Sequence, residues 1–327
     1  MSTHTDPSEW TVFTFLPGSV DVARAGDLLA SGGLGFEPQT VRVSVLGEEA
    51  IERPYDDGVW QSLRETSGVI AIDLESGLLQ PSATWSWTDT GVQVSISDVP
   101  APSALVDRLV DVPGLLGGAS GDATDARWQG ETEISHYRMW YDQPWEHLPR
   151  TTDEWGDEII DVSGNPGRVT DVPGMRLWAA QDLWFGPGSA LVIAHDAIAT
   201  LPVGRVTDLG DGRWHVRLWE DGTPLEEVRK AQQVLREHLG YDAAEARVDA
   251  IRDALTAGRP DDPMFLAQEG SFPHGGTTRI LQYFSASKHP TTRSRAAWLN
   301  VQEYDEHNTR VHDEYVDLTA QPHPDLD

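Results

Sequence analysis

The chain has 327 residues and no cysteine. That absence excludes disulfides, thiolate metal sites and cysteine nucleophiles in one step. It also fits a reducing compartment, and a cytoplasmic location is the expectation. Lysine is almost missing: Lys230 and Lys288 are the only two, and arginine supplies the remaining bases. No run approaches the roughly 18 apolar residues needed to cross a bilayer, so no membrane span is expected. The opening MSTHTDPSEW has neither the basic nor the apolar region of a secretory signal, and none is expected. Several catalytic signatures are also lacking. There is no G-x-S-x-G elbow, no kinase set, no P-loop lysine and no HExxH pair.

What is present is acid and tryptophan. Fifty-three Asp and Glu stand against 24 Lys and Arg, a net charge of −29, and there are 13 Trp but only 7 Tyr and 7 Phe. A chain of this charge is repelled by phosphate backbones and anionic lipid, so neither nucleic acid nor membrane is expected as a partner. A basic protein is the partner class that such a field attracts, because complementary charge steers encounter. The competing explanation is solubility in a salt-adapted or GC-rich background. The acid is uneven, however: residues 1–174 hold −20 of the −29. A uniform bias does not obviously produce that.

Periodicity predicts an α+β fold of largely antiparallel sheets with short helices, in two domains. Ala83, Trp85 and Trp87, the turn Asp89-Thr90-Gly91, then Val92, Val94 and Ile96 read as a hairpin with one buried face. Ser103 is placed as the cap of a short helix carrying Leu105 and Leu109. Gly210-Asp211-Gly212 joins two further strands. Thr223-Pro224-Leu225-Glu226 reads as a capping box opening a helix through Val228, Leu235 and Leu239 to a Gly240 stop, and a second helix is expected from Asp242 to Gly258. Three strands follow between Arg279 and Leu318. The stretch Gly114 to Gly130, rich in Gly, Ala, Ser and Asp, has the composition of a flexible linker or long loop. Domains are therefore expected at 1–113 and 131–327, with 114–130 between them.

Candidate chemistry is sparse. His307 and His312, five apart, fall on different faces of either a helix or a strand, which is poor metal-ligand geometry. His136 and His147 flank aromatics, and His215 sits on a polar strand face beside Arg217. His274-Gly275-Gly276-Thr277-Thr278-Arg279 could offer amides and a guanidinium to an anion, or simply lead into a strand. No cofactor, no metal and no catalytic residue is assigned. The densest feature lies between Trp140 and Asp161. There Trp140, Trp145 and Trp155 are threaded with Asp142, Glu146, Asp153, Glu154, Asp157 and Glu158, and Arg150 is the base between them. Tryptophan anchors ringed by acid suit tight contact with a basic protein. Equally, the indoles could be core and the acids their solvated flank.

The run Trp184-Phe185-Gly186-Pro187, then Leu201-Pro202, the hairpin end Arg217-Leu218-Trp219-Glu220-Asp221 and the helix close Leu239-Gly240-Tyr241-Asp242 resembles small α+β immunity proteins of bacterial polymorphic-toxin systems. The resemblance spans residues 175–258, about a quarter of the chain. It implies an acidic, cytoplasmic, protein-binding inhibitor that occludes a basic surface of a cognate toxin. Two alternatives stay open: a hydrolase whose site assembles from dispersed carboxylates and histidines, and a decoy whose carboxylates imitate nucleic-acid phosphates.

Overall fold

A computed structural model of the chain describes residues 9–30, 33–56, 58–66, 68–77, 81–138, 145–153, 156–257 and 262–319. The chain opens with β1 (Glu9–Phe15), α1 (Val22–Ala30), β2 (Thr40–Val45), β3 (Ile51–Pro54), α2 (Val59–Arg64) and β4 (Val69–Glu75). Next come β5 (Ser82–Trp87), β6 (Val92–Ser97), α3 (Ser103–Val110), β7 (Leu115–Asp122), α4 (Ala123–Gly130) and α5 (Ile134–His136). Short strands follow: β8 (Arg150–Thr152), β9 (Glu158–Ile160), β10 (Thr170–Val172), β11 (Met175–Leu177) and β12 (Asp182–Phe185). A 3-10 turn at Pro187–Leu191 leads to α6 (His195–Ala199), β13 (Arg205–Gly210), β14 (Arg213–Arg217), α7 (Leu225–Leu239), α8 (Tyr241–Glu245) and α9 (Val248–Thr256). The last part holds β15 (Phe265–Glu269), β16 (Thr278–Phe284), β17 (Trp298–Tyr304) and β18 (Arg310–Asp317). The fold is α+β with antiparallel sheets.

The chain divides into two compact units. Unit 1 comprises Met1–Thr40, Tyr55–Leu63 and Asp73–Ala257, and unit 2 comprises Val41–Pro54, Arg64–Ile72 and Gly258–Asp327. Residues 114–130 are therefore not a linker. They form β7 and α4, and β7 pairs antiparallel with both β1 and β12 inside unit 1. Two of the glycines that gave the stretch its linker composition, Gly117 and Gly118, serve close packing instead. A Cβ on Gly118 would lie 2.4 Å from Cδ1 of the fully buried Phe13.

In unit 1 the strands run in the order β13-β14-β12-β7-β1-β6-β5. Alternation gives this sheet two chemically different faces. Trp10, Val12, Ala119, Leu183, Phe185 and Val216 point to one face and share a core with Leu235 and Leu239 of α7 and Ile251 and Leu255 of α9. Phe13, Phe15, Trp85, Val94 and Ile96 are buried on the other. There the indole N–H of Trp87 donates to the Val20 carbonyl just ahead of α1 at 2.8 Å, and α1 and α3 contact each other. The β5–β6 hairpin matches its expected register, with Trp85 opposite Val94.

Helix starts differ in detail. Ser103 is the first residue of α3, with Pro102 at the cap and no side-chain cap bond. Thr223 turns its hydroxyl back to Glu220 O at 2.7 Å, so the capping box is not made and α7 begins at Leu225. Gly240 ends α7 at φ +66°, a left-handed conformation that favours glycine. The single helix expected beyond it is two, α8 and α9.

Unit 2 holds a four-stranded antiparallel sheet in the order β15-β16-β17-β18, with Leu281, Tyr283 and Leu299 as its core. Register places Arg279, Glu303 and His312 in one row across β16, β17 and β18. In the same unit β2 runs between β3 and the start of β4.

Candidate partner-binding site

Of the nine residues expected to form the contact surface, Trp140, Asp142, Glu154 and Trp155 lie outside the described residues. The other five separate into two roles. Glu146, Asp157 and Glu158 are exposed. Trp145 is half-buried between two guanidiniums, with Arg138 4.8 Å and Arg150 4.7 Å from its ring centroid. Each such contact contributes about 0.5–1 kcal/mol at a partly exposed site. This indole is therefore engaged within the chain rather than presented as a bare anchor. Asp153 is also used locally: it shapes the β8–β9 turn by accepting from Asp157 N at 2.8 Å. What the segment offers outward is an acidic edge.

That edge adjoins a cavity system that sequence reading did not find. Ile160 N, at the end of β9, donates to Thr132 O at 2.9 Å. The neighbouring Glu131 lines a groove of about 510 Å³ together with Trp10, Trp178, Ser95, Arg127 and Arg176. The groove floor follows from hairpin alternation: Val94 and Ile96 face the core, so Ser95 and Ser97 face the opening. Inside the groove Glu131 accepts from His136 at 3.0 Å and Arg176 pairs with Asp171 at 2.8 Å. The Tyr137 hydroxyl donates to Glu131 O at 3.0 Å. Burial drives its ionisation upward, and the Glu131 charge adds to the shift.

A second, tighter cavity of about 200 Å³ shares Trp10 and Trp178 with the groove and adds Trp219, Asp122, Asp125 and Gln181. Strand register explains its existence. Trp10 on β1 stands opposite Gly121 on β7, which has no side chain to fill the space beside the indole. Ala179 and Ala180 keep the adjoining wall shallow. Trp10 and Trp178 meet with centroids 4.3 Å apart. Tyr241, fully buried, fixes the Trp178 backbone by donating to its carbonyl at 2.9 Å.

The cavity's polar groups are partly committed. Asp125 holds both terminal nitrogens of Arg229. Arg229 bonds Gln232, which in turn donates to Ala179 O at 2.9 Å. Gln181 donates to Asp221 at 2.6 Å. Asp122 caps α4 through Oδ1, which accepts from Thr124 N at 2.7 Å. Its Oδ2 has no hydrogen bond among the described residues. Trp10 is 8% exposed, and its indole N–H has no partner among them either. The excess of tryptophan was the one sequence signal for this site, but it did not say which indoles meet.

The remaining histidine and glycine candidates resolve into structure. His312 stacks on His274, centroids 3.7 Å apart and 3° from parallel. His307 is exposed and 3.6 Å from Glu306. Arg279 of the Gly-rich loop is not free for an anion: it donates to Glu303, whose side chain is 1% exposed, at 2.9 Å. His274 adds its backbone N–H at 3.1 Å and its ring nitrogen at 3.3 Å. Burial alone pushes the Glu303 carboxyl up. The bonds from Arg279 and His274, with the Arg279 charge, outweigh burial and hold it below the ordinary glutamate value. His147 is exposed. His215 pairs with Asp182 at 2.8 Å and stacks on Trp184.

Ser189 and His195 lie 3.1 Å apart, but the hydroxyl is fully buried and already donates to Gly186 O at 2.8 Å. Its proton is therefore not held for the imidazole, as a nucleophile's would be. Among the described residues there is no group of three or more His, Asp or Glu placed to hold a metal ion. Nor is any helix there long and apolar enough to cross a membrane. No family model matches the chain, and no match is found among curated proteins.

Proposed function

We propose that the chain is a non-catalytic protein-binding inhibitor of a basic protein, acting in the cytoplasm as immunity proteins act on their cognate toxins. One observation carries this reading: the exposed acids Glu146, Asp157 and Glu158 belong to a segment tied directly beside a tryptophan-lined groove. Aromatic residues dominate binding energy where they are desolvated, and surrounding charge sets encounter rate and register. The net charge of −29 acts in the same direction at longer range. Inhibition would follow from covering the partner's basic surface, with no chemical step.

Co-expression with the product of the adjacent reading frame tests this. The expected result is a stable complex, relief of that product's toxicity, and an association rate that falls about tenfold or more between low and high salt, as steered encounters do. An association rate that ignores salt, or the absence of any complex with a basic protein, overturns it.

A further inference from the structure

We infer that the 200 Å³ cavity lined by Trp10, Trp178 and Trp219 receives an arginine side chain of the partner. This inference rests on the proposed protein-binding function and names what enters the site. The cavity is smaller than the roughly 300–1,000 Å³ of drug-sized ligand sites, so its natural occupant is one side chain rather than a whole small molecule.

Two features select the chemistry of that side chain. Three indoles line the cavity, and indole is the best aromatic partner for a cation. Two carboxylates line it as well. Asp125 is neutralised by Arg229, whereas Asp122 keeps Oδ2 without a hydrogen bond among the described residues. The lining therefore carries one uncompensated negative charge. Guanidinium is favoured over ammonium because it is planar, stacks on aromatic rings, is more weakly hydrated and bonds carboxylate through two nitrogens. The adjoining groove shares Trp10 and Trp178 and would take the residues flanking that arginine.

The probe is N-acetyl-arginine amide, titrated into the full chain by calorimetry, with N-acetyl-citrulline amide as the uncharged isostere. Arginine amide is expected to saturate at millimolar concentration, with citrulline amide at least about tenfold weaker. Asp122→Asn keeps the helix cap, since asparagine caps as well as aspartate, and removes the charge. It is expected to weaken arginine amide about fivefold or more without moving the melting temperature. Gly121→Val fills the space: a Cβ there meets only ordinary contacts, the nearest at 3.5 Å from Gln181 N. It is expected to abolish binding while the chain stays folded. No saturation, equal binding of citrulline amide, or wild-type binding by both variants overturns the inference.

The same variants separate this inference from the function it rests on. A basic-protein complex that keeps its affinity in both variants removes the arginine pocket and leaves the inhibitor reading standing. Arginine amide bound as expected, with no basic-protein complex, removes the inhibitor reading and leaves the pocket.

Discussion

Replacing Glu303 with glutamine tests the polar centre of unit 2. The carboxylate is 1% exposed on the side chain, and both oxygens are used. Oε1 accepts from Arg279 at 2.9 Å and from the His274 ring at 3.3 Å, and Oε2 accepts from His274 N at 3.1 Å. A glutamine keeps one acceptor and turns an NH2 toward a donor, so one charge-assisted bond is lost, worth about 1.5–3 kcal/mol. Breaking a fully buried pair costs about 3–5 kcal/mol. Arg279 is 25% exposed, so water recovers part of its solvation. The expected loss is about 2–3 kcal/mol of local stability, a value between these two cases.

Hydrogen exchange at pH 7 across Thr278–Phe284 and Trp298–Tyr304 reads that loss directly. The sign with pH follows from the depressed carboxyl. Its contribution is complete above 4.5, the ordinary glutamate value, and disappears as pH falls through the lower folded value. The gap between wild type and E303Q should therefore narrow in acid. Unchanged protection in those strands at pH 7, or a gap that widens in acid, would refute the reasoning.

Three other perturbations have defined outcomes. Leu105→Ala empties a fully buried position on α3 and should cost about 2–5 kcal/mol in urea unfolding; a loss under about 1 kcal/mol means the site collapses fully. Gly118→Val drives a methyl-bearing carbon into Phe13, and overpacking of about 1–3 kcal/mol should lower the melting temperature by several degrees. Tyr241→Phe deletes the bond to Trp178 O and should cost about 1 kcal/mol at neutral pH. Burial raises the Tyr241 ionisation, with Arg236 opposing more weakly, so wild type should lose stability as pH climbs past 10, the ordinary tyrosine value. The phenylalanine variant should lose less over that range, and an identical alkaline profile would exclude Tyr241 as the cause.

The β5–β6 hairpin and α7 were legible in the sequence because period 2 and period 3.6 are properties of neighbouring residues. Alternation alone placed Trp85 and Val94 inside. The helical stripe of α7 and its Gly240 stop needed no knowledge of the rest of the chain. Composition likewise set the absence of thiol chemistry and the acidic charge.

The tertiary structure decided what each face meets. Gly117 and Gly118 have linker composition, yet they lie in a strand where a Cβ would run into Met175 and Phe13, and Phe13 stands opposite Gly118 across a pairing some hundred residues apart. Glu303 became the hub for Arg279 and His274 only through the register of β16, β17 and β18. The tight cavity draws on residues 10, 122, 125, 178, 181 and 219, which no local pattern links. A side chain's period says which way it points. Long-range strand pairing decides what stands opposite, and that pairing made three separate tryptophans into one site.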